Sequence, residues 1–200
     1  MMSRQTGKKD VVICIAGLTA SGKSTAARRL AEKFALRYFS GGAALKELAI
    51  KMGYKAQDRG WWETPDGMRF LEQRLHDSRF DRQVDEELLR WAEKGNVVLD
   101  SWTMPWLCKE GFKIWIEVSP EERARRLVRR DKTSLAEAEK AIREKDGKTK
   151  RLYEKLYGFK LGEDFSPFDL VLDTEHLSSG ETFETLSLVI ERLVLKRRVD

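Results

Sequence analysis

The stretch VVICIAGLTASGKST, Val11 to Thr25, joins a β-branched apolar run to Gly17, then Leu18, Thr19, Ala20 and Ser21, then Gly22, Lys23, Ser24 and Thr25. That is the spacing G-x-x-x-x-G-K-[ST] without a gap. Val11 to Ala16 is apolar on both faces, which predicts a strand buried inside a parallel sheet. Gly17 and Gly22 let the backbone curl so tightly that successive N–H groups converge on one anion. The cradle fits a polyphosphate. Lys23 can reach its β- and γ-phosphates as a point charge, and the Ser24 hydroxyl can ligate a bridging Mg²⁺. The helix that starts here turns the positive end of its dipole toward the same charges. A Gly-rich turn with no ligand is the plainer alternative, and Lys and Ser/Thr at the required offsets disfavour it.

Two hundred residues suit one α/β domain, with 41% hydrophobic and 36% charged residues giving a folded core under a densely ionised surface. The expected division is a flexible tail over residues 1–9 and a single domain over 10–200. No apolar run approaches the roughly 20 residues that span a bilayer, and MMSRQTGKKD lacks the apolar segment of a signal peptide, so a cytoplasmic protein is expected. Cys14 and Cys108 have neither metal spacing nor a disulfide framework and read as core or incidental thiols. His76 and His176 are isolated and read as solvated or capping residues. The net charge of +5 has a local source, because residues 123–151 hold twelve Lys/Arg against five Asp/Glu. Such a segment can be a solvated face, a nucleic-acid surface or a lid over phosphates, and the upstream cradle favours the lid.

Outward from the cradle, Ala26, Leu30, Ala31 and Phe34 recur at helical spacing, followed by a strand at Arg37 to Ser40. Gly41-Gly42 opens a second helix with Leu45, Leu48, Ala49 and Met52 on one side, closed by Gly53. Tyr54 to Pro65 has no sustained period and reads as a loop. Its Trp61-Trp62 pair is ordinary packing, or one indole stacks on a planar substrate group. Helices are expected over Asp66 to Leu75 and Arg79 to Glu93, the latter with Phe80, Val84, Leu88 and Trp91 inward. Asn96 to Asp100 is a strand ending in a carboxylate, which should emerge beside the cradle, where it could hold Mg²⁺ or orient an acceptor. Phe112 to Val118 alternates as another strand. Ser119-Pro120-Glu121-Glu122 reads as a capping box, and Arg126, Arg129 and Arg130 follow on one face. Ser134 with Glu137 starts a helix to Tyr157 on which Arg143, Lys150 and Arg151 share a face, and Gly147 suits a bend. Phe168 to Thr174 is the last strand. Ser178 with Glu181 caps a final helix whose Leu186, Ile190 and Leu193 face inward. The alternation predicts a five-stranded parallel sheet with helices on both faces.

The guanine motif N/T-K-x-D of GTPases is absent, and helical insertions after the second and fourth strands suit a kinase of small molecules. The segments GLTASGKSTAARRLAEKFALRYFSGGAALKELA, FDRQVDEELLRWAEKGNVVLD, IREKDGKTKRLYEKLYGF and SPFDLVLDT resemble the archaeal-type cytidylate kinases, within the nucleoside monophosphate kinase group. The resemblance implies ATP and Mg²⁺, CMP or dCMP as acceptor, an acceptor-binding region near residues 40–93 and a lid near 129–157. It places Ser40, Gly41 and Lys46 at the acceptor, Asp81 and Arg82 near its base or ribose, and Asp100 with Ser24 at the metal. Arg129, Arg130, Arg143 and Arg151 become donor-gripping and charge-neutralising groups, with Lys23, Asp100, Arg130 and Arg143 the catalytic set. A monomer acting on small molecules, without nucleic acid or membrane, is implied. Two departures stand out: Lys46 replaces the family's usual Arg, and Asp100-Ser101-Trp102 replaces Glu/Asp-Gly-Arg. Lys cannot copy the bidentate fork of Arg, so another small acceptor, held by stacking on Trp61, Trp62, Trp102 or Trp106, stays open. A nucleotide-dependent RNA-binding role is the third reading. Its difficulty is that the basic segment carries no interleaved aromatics before Tyr153 and Tyr157.

Overall fold

A computed structural model describes residues 11–56 and 60–195. The expected tail over 1–9 lies outside them, as does part of the expected loop, residues 57–59. The chain runs β1 (Val12–Ala16), α1 (Lys23–Lys33), β2 (Arg37–Ser40), α2 (Gly41–Lys51), a 3₁₀ turn (Trp61–Glu63), α3 (Pro65–His76) and α4 (Arg79–Glu93). It continues through β3 (Val97–Asp100), α5 (Met104–Leu107), β4 (Phe112–Glu117), α6 (Pro120–Asp131), α7 (Leu135–Tyr157), β5 (Leu170–Asp173), α8 (Ser179–Ile190) and a π-helical turn (Glu191–Leu195). The strands pair in parallel in the order β2-β3-β1-β4-β5, the five-stranded parallel sheet that the alternation predicts.

Both faces are covered. Ile13 and Ile15 of β1 pack with Leu30 of α1 and with Leu186 and Ile190 of α8. Cys14 turns the other way, among Leu45, Phe70, Val84, Leu88 and Met104. Successive side chains of a strand point to opposite faces, so an unbroken apolar run requires this double burial. Both cysteines are buried and free. The register sets Asp100 beside Ile15 on one side and Ser40 on the other, so β1, β3 and β2 end together at the carboxyl edge of the sheet. No helix among the described residues is long and apolar enough to cross a membrane.

Several expectations need correction. The alternation expected along β4 is interrupted at Trp115, which stands among the alternate positions and is fully buried under Phe165 and Phe168. Leu193 is 45% exposed. The π-helical turn widens the last coil, so the 3.6-residue stripe that brings in Leu186 and Ile190 loses phase there. The box at Ser119 is half-formed: Ser119 Oγ accepts from Glu122 N, while the Ser119 N–H and hydroxyl donate to Glu175 at 2.9 and 2.8 Å. The boxes at Ser134 and Ser178 are complete. α7 runs unbroken through Gly147. Pro105-containing α5 was not anticipated, being too short for periodicity to register.

Candidate active site at the carboxyl edge of the sheet

A cavity of about 880 Å³ opens where β1, β2 and β3 end. Its floor is the turn between β1 and α1. Thr19 to Thr25 line it, while Gly17 and Leu18 lie behind. A Cβ on Gly17 would stand 2.7 Å from the Ile116 carbonyl oxygen, so no larger residue fits that bend. Three carbonyls of the turn are held from outside. Trp102 Nε1 donates to Gly17 O at 2.5 Å, Arg123 Nη1 to Thr19 O at 3.1 Å and Arg126 Nη1 to Ser21 O at 3.0 Å. Arg123 is itself fixed by a buried ion pair with Asp146 of α7 at 2.6 Å. With these carbonyls tied outward and α1 starting at Lys23, the turn presents the amino end of that helix to the cavity.

Lys23 is partly buried, its Nζ 5.0 Å from the Trp102 ring centroid. Burial lowers its pKa, and the charge of Asp100 opposes that shift. Asp100 is 2% exposed and accepts from the Tyr38 hydroxyl at 2.9 Å. A lysine and a carboxylate thus face the cavity at its waist, together with the Ser24 hydroxyl.

At the ends of β2 and β3, Ser40 caps α2, and Ser40, Gly41 and Lys46, the expected acceptor contacts, all line the cavity. Asp81 lines it too but is already committed: Arg74 Nε and Nη2 grip its carboxylate at 3.0 and 2.5 Å, and Nη2 reaches the Tyr153 hydroxyl at 3.2 Å. Asp85, one helical turn on, accepts from Thr103 Oγ1 and Tyr157 OH, each at 2.6 Å. Burial pushes its carboxyl up to about 6. Arg74 and Asp85 escaped the sequence reading. The available signal was Asp81 and Asp85 at i and i+4 on the stripe of Val84 and Leu88, carboxylates where an amphipathic helix places apolar groups. Arg82 points to solvent outside the cavity. The tryptophan pair divides: Trp61 is buried against Tyr54 and Phe70, and Trp62 forms cavity wall.

From α6, in the segment expected to form a lid, Arg129 and Arg130 border the cavity. Arg129 pairs with Glu122 at 2.7 Å, and Arg130 with Glu63 at 2.8 Å. Arg143, Lys150 and Arg151 do share one face of α7, but it is the outer one. Arg143 has a 72% exposed side chain beside Glu139, Lys150 pairs with Glu163, and neither Arg143 nor Arg151 lines the cavity. The buried face of α7 is Ala138, Ile142, Asp146, Thr149, Leu152 and Tyr153. At 100° per residue, that phase brings Lys145 inward and turns its arginine neighbours out. Lys145 lines the cavity and bonds Glu63 at 2.5 Å.

A phosphate cradle, a lysine and a carboxylate at the strand ends, and basic side chains from two helices above them define a P-loop kinase. The shikimate kinase of Bacteroides thetaiotaomicron shares this fold, with a TM-score of 0.55 at 16% identity over 90% of this chain and 98% of that one. The sequence pattern of the cytidylate kinase-like family matches residues 12–176, and the chain belongs to that family. It is 36% identical to the cytidylate kinase of Pyrobaculum islandicum over 173 residues, 86% of this chain and 88% of the relative. It is 31% identical to that of Methanocaldococcus jannaschii over 188 residues, 92% and 99% of the two chains.

Proposed function

We propose that this protein transfers the γ-phosphoryl group of ATP to a nucleoside monophosphate, with CMP and dCMP as acceptors. One observation carries the reading: a single cavity joins the phosphate cradle at Lys23 to a polar pocket lined by Arg74, Asp81, Asp85 and Trp62, with Asp100 between them. The activity named for its relatives supports the choice of acceptor.

In this reading the cradle and Lys23 hold the triphosphate. Ser40, Gly41 and Lys46 receive the acceptor phosphate, and the Arg74–Asp81 pair and Asp85 face its base. Mg²⁺ takes one or two protein oxygens together with substrate phosphates and several waters, so the Ser24 hydroxyl and the Asp100 carboxylate suffice without a ligand cluster. Groups of three or more His, Cys, Asp or Glu able to hold a metal are indeed absent among the described residues. Held by Ser24 and Asp100, the ion would neutralise negative charge on the substrate phosphates. An acceptor phosphate oxygen bonds to the γ-phosphorus as the bond to the β,γ-bridging oxygen breaks, leaving ADP. Lys23, Arg129, Arg130 and Lys145 would supply countercharge as it builds on the transferring group. Arg82, Arg143 and Arg151 receive no substrate contact. A monomer working on small molecules belongs to the same reading.

The test is a coupled assay of ADP release with CMP, dCMP, UMP, AMP, GMP and sugar phosphates offered in turn. Release dependent on CMP or dCMP is expected. ADP production indifferent to every nucleoside monophosphate would overturn the reading.

A further inference from the structure

Glu63 is an acidic residue in the middle of a basic cavity. It belongs to the acceptor side, at the end of the 3₁₀ turn Trp61–Glu63. Its two carboxylate oxygens are taken by two different lid helices: Oε2 by Arg130 of α6 at 2.8 Å, and Oε1 by Lys145 of α7 at 2.5 Å. The Glu63 side chain is 9% exposed and that of Lys145 is 11%. These are not solvated surface pairs, whose contribution is usually small.

The platform under Glu63 is stiff. Trp61 is buried, and its carbonyl oxygen accepts from Thr64 Oγ1 at 2.7 Å. A Cβ on Gly67 would fall 2.2 Å from that same oxygen, so the first turn of α3 lies directly against the 3₁₀ turn. A Cβ on Gly60 would stand 3.0 Å from the Asp131 carboxylate, so the turn also abuts the end of α6. Lys145 is bounded further by two indoles, with ring centroids of Trp62 and Trp102 at 5.8 and 5.9 Å from its Nζ. Trp102 also lies under Lys23, so the two ammonium groups flank one ring.

We infer that Glu63 is a positioning residue for phosphoryl transfer, holding Lys145, and secondarily Arg130, over the cradle from the acceptor side of the cavity. The inference rests on the proposed transfer to a nucleoside monophosphate. Its consequence is a coupling that the donor site alone does not contain. Trp62, which walls the acceptor pocket, and Glu63, which holds the cations that meet the γ-phosphate, are carried on one rigid turn, so acceptor and cations are registered to each other. Without Glu63 the lysine keeps its charge and its indole neighbours but loses its fixed direction. Misplacement of a charge-neutralising group by about 1 Å is enough to cost on the order of 100-fold in rate.

The experiment begins with the wild-type protein, whose transfer from Mg-ATP to CMP tests the functional reading by itself. In an active wild type, single-turnover rates at saturating substrates are then compared with equilibrium affinities for CMP and for ATP measured separately. Glu63→Gln, which keeps shape and removes charge, is expected to slow transfer at least tenfold, on the order expected for a misplaced charge, while both affinities stay within about twofold. Glu63→Asp should recover part of the rate, and it carries the comparison if the Gln variant unfolds. In a Lys145→Met background, the same Glu63→Gln change should cost less than about threefold, because residues acting as a unit are not additive. A wild-type rate in Glu63→Gln, or equal losses in the two backgrounds, would overturn the inference. A wild type that phosphorylates no nucleoside monophosphate would instead remove the functional reading.

Discussion

Asp85 is 6% exposed, with Thr103 and Tyr157 hydroxyls on its two oxygens, and burial outweighs them to bring its pKa to about 6. An unfolded aspartate titrates near about 3.9. Between those values the folded protein keeps a proton that the unfolded chain has released. Stability therefore falls as pH rises through that window and levels off above it, by about 3 kcal/mol for a two-unit shift. Depressed carboxylates elsewhere have the opposite slope, so the signal lies in the difference between wild type and Asp85→Asn. Urea midpoints from about pH 4 to pH 7 should show that difference changing in this sense, and a flat difference would contradict it. Trp102 permits a second residue-scale test. Trp102→Phe keeps a ring under Lys23 and removes the donor to Gly17 O. Losing one such bond is worth about 1 kcal/mol, so ATP affinity measured by calorimetry should weaken about fivefold. The Trp102 indole thus serves the cradle through its bond to Gly17 O.

Among elements, α7 shows why a basic segment can be recognised while its working residue is missed. Residues 135–157 read as a helix from the Ser134 cap and the periodic apolar positions, and the structure agrees. Which side of that helix faces the phosphates depends on how α7 docks against α3 and α6, and local sequence carries little of that. Arg143 and Arg151 look like better anion binders than Lys145, yet the packing of Ile142, Asp146 and Leu152 selects the lysine. Two glycines separate helix propensity from close approach. Gly147→Ala meets only Arg151 Nη1 at 3.9 Å and should stabilise α7 by up to about 1 kcal/mol. Gly67→Ala drives a Cβ into the Trp61 carbonyl and should destabilise by about 2–4 kcal/mol. Chemical denaturation of the two variants checks both, and equal effects would contradict the assigned packing.

For the molecule as a whole, the sheet was legible because each strand carries its own signal: a double-sided apolar run at β1, a terminal carboxylate at β3 and alternation at β4. The parallel connections then left few topologies. The donor site was legible for the same reason, since its groups are contiguous in sequence from Gly17 to Thr25. The proposed acceptor pocket is assembled from α2, α3, α4, β3 and α7, so Arg74, Asp85 and Tyr153 meet only after folding. Their polarity signals little until burial is known. The account's central claim is that the two halves of the cavity work on one phosphoryl group. Incubating the protein and Mg²⁺ with ATP labelled at the γ-phosphate, in the presence of CMP, tests it most directly. The expected result is label recovered in CDP, abolished by Lys23→Ala; label found only in inorganic phosphate, or remaining in ATP, would contradict the claim.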